Sequence, residues 1–487
     1  MREFVLGDAP KHLKLSKEEL TPEVLAEVRL LRAKVRAERE KAEREDPRFS
    51  FIERPMLDVK GEHGGELAQP TVRFTIMTYN ILAQSLIRRE LFPGSEEAIR
   101  WSHRSRTLLR ELAHYNADVV CLQEVDVKQL DKWWVPRMRD RGYEGRFYRG
   151  PRTKVHGVAI FWKVSMFECE EAVECNLDDS INVDVDLELK EPRTRTRNAA
   201  IIVALRFKGA DHDGLGRKGL VVGTTHLFWH QFGTFERVRQ LYVIMNKYNT
   251  LLQRLNSRGS SADNFDQWLP LFTGDFNSQP GGPPYATLTT KPVNFTSHQQ
   301  ATMECSLSYT YSKRRNAGNV EGDASDSDED EEQERLVMES NPTDPHPTTF
   351  EGTPHQHKLV AESQRLHNSI PLVGTSLYGA AYRYAHPENA SFANGHNGEP
   401  EMSQGSLHWT GLLDYIFVLG SIIESEKQMS TTTAASSLQQ LEQQHRIRVH
   451  SLLRMPLISE MPPHIQPHET EYPSDHLCMI CDLEVGL

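Results

Sequence analysis

From residue 71 onward, apolar positions fall into short runs with strand texture, separated by longer stretches with helical spacing. TVRFTIMTYNI (71–81), ADVVCLQEV (117–125), HGVAIFWK (156–163), NAAIIVALRF (198–207), GLVVGTTHLFW (219–229), WLPLFTGDF (268–276), GLLDYIFV (411–418) and SDHLCMICDLEV (474–485) read as strands. Several are apolar at consecutive positions, as expected of strands covered on both faces. RSRTLLRELAHY (104–115) instead puts Leu108, Leu109 and Leu112 on one side of a helix, and TFERVRQLYVIMNKYNTLLQRLN (234–256) is similarly striped. This interleaving predicts an α/β fold of two packed sheets covered by helices.

Residues 1–70 read as an extension. Its helix over 20–45 opens with Thr-Pro and grades into mixed charge, as in a solvated helix docked by its first turns; an RNA-binding arm is the other reading. Residues 71–487 form one catalytic domain, with insertions at 208–218 (Gly/Asp-rich), 313–348 (acidic) and 424–447 (Ser/Thr/Gln-rich) that lack the apolar content for a core.

Charge changes this picture little. The formal charge of −12 comes largely from EGDASDSDEDEEQERLVME (321–339), whose ten acids and one Arg leave the remainder near neutral. A cationic cleft is therefore compatible with the acidic total. The run lacks the turn chemistry of a calcium loop and reads as solvated. Six scattered cysteines predict free thiols. Strand alternation sends Cys478 and Cys481 to opposite faces, as two core thiols rather than a zinc pair. No apolar run has membrane-spanning length, and the first residues lack a signal-peptide core, so the expected location is cytoplasm, nucleus or both.

The candidate chemistry lies where strands end. Asn80 ends TIMTYN, Glu124 ends VVCLQE, His226 sits in GTTHLFW, and Asp275 and Asn277 end LFTGDFN; Asp414 interrupts LLDYIF, and Asp475 and His476 begin SDHLCMI. One such residue is an ordinary satisfied polar group, but six strands ending this way make a site. Hard oxygens with two histidines suit Mg²⁺ or Mn²⁺ and a phosphoester under attack by water. Neither a serine or cysteine nucleophile motif nor a glycine-rich phosphate loop accompanies them.

The ordered set TYNILA, LQEVD, HGVAIFWK, TTHLFWH, FTGDFNSQP, LLDYIF and YPSDHL resembles the endonuclease/exonuclease/phosphatase superfamily. Within it, GTTHLFWHQFGTFERVRQ and SLSYTYSKRR are similar to the deadenylase-type exonucleases related to nocturnin and Angel, and above all to the fungal Ngl-type RNA exonucleases. The resemblance covers about 71–487 and implies a DNase I-like four-layer α/β/β/α sandwich of two mixed sheets flanked by helices. It implies Glu124 as the main Mg²⁺ ligand with Asn80 beside it and Asp475 as a neighbouring metal-side carboxylate. Asp275 would align or deprotonate the attacking water, Asn277 grip the phosphate, and Asp414 orient His476 at the scissile phosphate, with His226 as a second histidine. Which histidine is acid and which base stays open. No leucine-rich repeats are present, so docking through such a scaffold is not expected.

The implied substrate is single-stranded RNA shortened from its 3′ end, either a poly(A) tail or an rRNA precursor, and no protein partner is indicated. Trp409, in LHWTGLLDYIF, resembles an aromatic that stacks near the terminal base, with a core tryptophan as the plainer alternative. Arg88 in RRE (88–90) and Arg152 in RGPRTK (149–154) are candidates for tracking phosphates, against a default of solubilising charge. His464 and His468 invite a zinc site with His476, but no thiolate joins them. Two rivals to the nuclease are a phosphatase of the same architecture acting on a small molecule or lipid, and a non-catalytic RNA-binding protein.

Overall fold

The computed structural model describes residues 46–61, 67, 70–209, 217–257, 267–311, 350–392, 396–406, 409–421, 432–433 and 438–487, with residues 30, 31 and 34. Apart from those three exposed helical positions, the helix expected over 20–45 lies outside them, as does the acidic run 321–339.

Two mixed sheets form the centre. The first contains β1 (Met56–Asp58), β2 (Thr71–Asn80), β3 (Val119–Asp126), β4 (Tyr143–Tyr148), β5 (His156–Lys163) and two late strands. The second contains β6 (Phe167–Asn176), β7 (Ala199–Phe207), β8 (Gly219–His226), β9 (Trp268–Asp275), β10 (Leu372–Ser376) and β11 (Asp414–Ser421). The late strands are β12 (Ile447–Leu453) and β13 (Met479–Gly486). The orders are β1-β12-β13-β2-β3-β5-β4 and β10-β11-β9-β8-β7-β6. Each sheet has one parallel pair at its centre, β2/β3 and β8/β9, flanked by antiparallel strands.

Alternation along the strands builds the layers. In β2, β3 and β5, Phe74, Ile76, Val119, Cys121, Val158, Ile160 and Trp162 join the core between the sheets. Their neighbours Met77, Tyr79, Val120, Leu122, Ala159 and Phe161 instead pack with Leu108 and Leu112 of helix α1 (Trp101–Tyr115). Helix α2 (Thr234–Asn256) covers the second sheet, with Phe235, Val238, Leu241 and Tyr248 fully buried. The result is the four-layer sandwich that the resemblance implied. Among the described residues no helix is long and apolar enough to cross a membrane.

Two expectations are corrected. Residues 46–61, placed in the extension, belong to the sandwich: β1 pairs with β12, Phe49 and Phe51 are buried, and Arg54 donates to Cys478 O at 2.8 Å. The insertion placed at 424–447 ends early, because Leu438–His445 forms a helix with Leu438 and Leu441 buried in the core. At 208–218, Arg217 is already buried, and residues 210–216 lie outside the described residues. Cys478 and Cys481 do face opposite cores as free thiols.

Away from the polar strand ends, Glu399 is fully buried against Tyr285, whose hydroxyl donates to Oε1 at 3.0 Å, while Oε2 has no hydrogen-bond partner among the described residues. Burial raises its pKa to about 7. The folded state thus holds a proton that the unfolded chain releases near pH 4.5, so stability falls as pH rises from about 4.5 to about 7. Glu399→Gln should remove that slope and raise stability at pH 8 by on the order of 1–3 kcal/mol. Urea unfolding of both proteins at pH 5 and pH 8 checks this; equal pH dependence would show an ordinary carboxylate.

Candidate active site

The parallel pairs bring four polar residues to one edge. β2 faces β9 and β3 faces β8 across the core, so Asn80, Glu124, His226 and Asp275 arrive together at the strands' C-terminal ends. Antiparallel β11 enters beside β9 with Asp414 opposite Asp275, and His226 is in register with Asp275 on the other side. His476 stands just before β13, the antiparallel neighbour of β2.

Two of these positions need unusual backbone. By alternation Glu124 would follow Leu122 towards α1. A one-residue bulge between Leu122 and Val125, with Glu124 at φ 59°, turns its side chain into the cluster instead. Gly274 has φ 138°, and a Cβ there would collide with Thr225 O, so only glycine lets β9 lie this close to β8 immediately before Asp275.

The side chains interlock around two carboxylate oxygens. Asn80 Nδ2 donates to Glu124 Oε1 at 3.1 Å and to Asp275 Oδ2 at 3.0 Å. His226 spans the same pair, with Nδ1 3.9 Å from Glu124 Oε1 and Nε2 3.6 Å from Asp275 Oδ2. Backbone N–H groups take the other oxygens: Ala83 N donates to Glu124 Oε2 (2.8 Å) and Asn277 N to Asp275 Oδ1 (2.9 Å). His476 Nε2 lies 3.6 Å from Asp275 Oδ2, and its Nδ1 is 2.8 Å from Asp414 Oδ2, which also accepts from Ser403 Oγ at 2.7 Å. Burial raises the Asp275 pKa, with the nearby Asp414 carboxylate adding to the rise and His476 opposing it. For His476, burial favours the neutral ring, but Asp414 and Asp275 outweigh it and push the pKa up to about 10. At neutral pH it is an imidazolium held between two carboxylates.

This donor set fits a hard cation. Glu124 Oε1 and Asp275 Oδ2 share the Asn80 amide, and Asp414 Oδ1 is buried with no hydrogen-bond partner among the described residues.

The profile of the Endonuclease/Exonuclease/phosphatase family matches residues 77–418, a span running from β2 into β11. The chain belongs to this family. Members are metal-dependent, in keeping with the oxygen cluster. The chain is 39% identical to the RNA exonuclease NGL2 of Saccharomyces cerevisiae over 97% of its own length and 91% of that protein's. It is 36% identical to the probable RNA exonuclease NGL3 of the same yeast, over 98% and 92% of the two chains. The solved structure of ANGEL2, a 2′,3′-cyclic phosphatase, shares the fold with a TM-score of 0.55 at 17% identity, covering 90% of this chain and 100% of that one.

The remaining expected residues have varied places in this endonuclease/exonuclease/phosphatase site. Asn277 follows the end of β9 at φ 46°; its side-chain amide donates to Leu227 O at 2.9 Å. Its spacing from Asp275 is therefore a turn closing on the carboxylate, not strand alternation. Asn80 turns its amide oxygen to Leu82 N (3.0 Å), away from Glu124. The Asp475 carboxylate is approached by Gln404 Nε2 at 3.4 Å and by Ser474 Oγ at 3.5 Å. Trp409 is exposed beside a short hairpin that pairs Gln404 with Gly411 and Gly405 with Thr410, and Gly411 lies near Gln279, two residues beyond Asn277, so Trp409 is not a core residue. Arg88 is half-buried beyond β2, and Arg152 is exposed.

Several residues at the site escaped the sequence reading. Arg197, Asn198 and His156 line a small pocket with His226 and with Arg149 and Lys154 of the RGPRTK run, which the sequence had already offered as a basic cluster. Asn198 Nδ2 donates to His226 O at 2.8 Å. Arg104 is buried, with its guanidinium donating to the carbonyls of Ile81, Leu82 and Pro473, which ties the loop after Asn80 to the loop before His476. Only distant sequence separation hid them; basic residues near strand ends were the available signal.

Glu124→Gln and Asp275→Asn should each lower phosphodiester turnover by roughly 10²-fold or more. Because each removes a buried like charge, the melting temperature should hold or rise. Near-normal turnover in either variant, assayed with saturating divalent metal, would remove that residue from the machinery.

Proposed function

We propose that the protein is a Mg²⁺-dependent 3′–5′ exonuclease of single-stranded RNA that releases 5′-nucleotides, acting in the cytoplasm or nucleus. The carrying observation is the buried Asp275 carboxylate flanked by His226 and His476 and joined through Asn80 to Glu124. Its similarity over nearly the full chain to proteins named RNA exonucleases supports the RNA substrate.

Glu124 would hold the ion, with Asp475 near the same loop. Bound there, Mg²⁺ or Mn²⁺ neutralises charge that builds on the phosphate and on the leaving 3′ oxygen. Asp275 orients the attacking water and accepts its proton, favoured by the raised carboxylate pKa. His476, kept charged by Asp414, presents Nε2–H to a phosphate oxygen as a fixed donor. Ser403, donating to Asp414, fixes the orientation of that pair. His226 approaches the same phosphate from the β8 side, its loop held by Asn198.

The polymer needs cationic and aromatic contacts beyond the reacting phosphate. Lys154 is buried, and its ammonium reaches Thr196 O at 3.5 Å; with Arg149 and Arg197 it supplies positive charge beside His226. The mouth of this pocket, where Arg149 and Arg197 are half-exposed, is the place for the neighbouring phosphate. Trp409, exposed at the rim, is the platform for a terminal base.

Incubating 5′-labelled RNAs with free or phosphate-blocked 3′ ends tests the proposal. A ladder shortened from the free end, absent with EDTA and with the blocked end, is expected; equal cutting of both, or preferred turnover of inositol phosphates, would overturn it. Lys154→Gln should weaken RNA binding and reduce the salt slope by about one. Trp409→Ala should weaken RNA binding by roughly 1–3 kcal/mol while leaving the metal requirement unchanged; unaltered affinity would assign the base platform elsewhere.

A further inference from the structure

Strand order lays the polar residues out in two facing rows. Along the second sheet, neighbouring strands present Asp414 at the start of β11, Asp275 at the end of β9, His226 at the end of β8 and Asn198 just before β7. Along the first sheet the matching positions are His476 before β13, Asn80 at the end of β2, Glu124 in β3 and His156 at the start of β5. The strands face one another in the same sequence, β11 on β13, β9 on β2, β8 on β3 and β7 on β5. The groove between the rows therefore runs across the strands, from the β11/β13 side to the β7/β5 side.

The two ends of this groove differ. At the β7/β5 end stand Arg149, Lys154 and Arg197, and positive charge there suits a phosphodiester backbone that continues outward. At the β11/β13 end a hairpin stands across the groove. It pairs Gln404 with Gly411 and Gly405 with Thr410, and the chain then enters β11. Its first strand reaches over to the other sheet: Gln404 bridges to His476, Gly405 N donates to Asp475 O at 2.9 Å, and Leu477 N donates to Ser403 O at 2.7 Å. On the near side, Phe276 N donates to Leu413 O at 2.8 Å.

The rim of the hairpin is equally close-set. A Cβ at Gly411 would meet Trp409 Cη2 at 2.6 Å and Gln279 Nε2 at 3.0 Å, so glycine there lets the indole and the amide close on one spot. Main-chain bonds to both walls make this a fixed barrier, because moving it breaks several of them at once. Neighbouring strands are about 4.8 Å apart, so a barrier at the start of β11 stands about one nucleoside from Asp275 on β9.

We propose that this hairpin is the stop that makes the enzyme an exonuclease. It closes the groove behind the terminal nucleoside: the 3′-terminal sugar and base lie against Trp409 and the 404/411 strand pair, and the remaining nucleotides lead out past Lys154. This rests on the RNA exonuclease reading above and adds to it the element that demands a free end. The carboxylates and histidines act on the phosphate alone and would cut an internal bond as readily. An internal bond reaches Asp275 only if the chain continues where the hairpin stands.

Covalently closed circular RNA, which has no end, tests the stop on the full chain. With Mg²⁺ the wild type should shorten a linear RNA and leave the circle of the same sequence uncut. Replacing residues 406–409 with Asn-Gly, a two-residue turn that antiparallel strands accept, keeps Gly405 opposite Thr410 and lowers the barrier. The shortened protein should open the circle in a Mg²⁺-dependent way and release products longer than one nucleotide from linear RNA. A circle cut by wild type as fast as the linear chain would overturn the stop, as would a shortened protein that trims linear RNA yet leaves the circle whole. If the shortened protein does not fold, photocrosslinking to Asp275→Asn decides. 4-Thiouridine at the 3′ terminus should attach to Trp409 or the 277–279 turn, and the same base several nucleotides upstream to 149–154; attachment of upstream positions at the hairpin overturns the proposal. No shortening of linear RNA by wild type would instead sink the exonuclease reading itself.

Discussion

A carboxylate removed from water must find a proton, a cation or a cage of N–H donors, and this fold buries Glu124, Asp275 and Asp414 at one edge of its sandwich. Each has a different solution. Glu124 takes one N–H from Ala83 and another from Asn80. Asp414 takes an imidazolium and a hydroxyl. Asp275, between the other two, has a backbone N–H, a shared amide and only longer approaches from two histidines. Burial raises its pKa, with the neighbouring Asp414 carboxylate adding to the rise and His476 opposing it. A raised pKa on the group proposed to receive a proton from water would make that electrostatic burden useful.

Keeping such a cluster together falls to buried arginines that bind carbonyls rather than carboxylates. Arg104 stitches the loop after Asn80 to the loop before His476. Arg237 of α2 donates to Phe228 O at 2.9 Å and His230 O at 2.7 Å, while Gln240 accepts from Phe228 N at 3.0 Å. These contacts give the TFERVRQ segment its meaning: its polar residues fasten the chain that leaves β8 through His226. A guanidinium with five donors can satisfy several loop carbonyls at once, which no aliphatic side chain can do.

Strand ends were legible in the sequence because an ionisable residue terminating an apolar run is conspicuous, and six of the expected residues do meet in one side-chain cluster. What alternation cannot reveal is a bulge, so the turn of Glu124 into the site at φ 59° is invisible before the structure. Asn80 was similarly beyond reach, since the direction of an amide depends on its neighbours. The outer strands went unread for a different reason. β6, FECEEAVECN, alternates acids with small apolar residues and buries mainly its ends, as an edge strand does. The last turns of the Ser/Thr/Gln-rich segment were masked by composition, although Leu438 and Leu441, three apart, carry the buried face.

Net charge is a poor guide to what such a site can bind. The segment 321–339 supplies most of the acidic total, whereas the wall beside His226 carries Lys154, Arg149 and Arg197 within one small pocket. At physiological salt, exposed charges separated by more than about 8 Å are largely screened from one another. A phosphate entering beside His226 therefore responds to the nearby cations and to the buried carboxylates, whose field is screened least. Those two terms have opposite sign, and their boundary runs between His226 and Asp275. A cation bound at the carboxylates would remove the repulsive term where the proposed scissile group sits, while Lys154 would act one step away whether or not the ion is present. On the proposed reading, metal dependence of turnover and salt dependence of binding would arise from different residues.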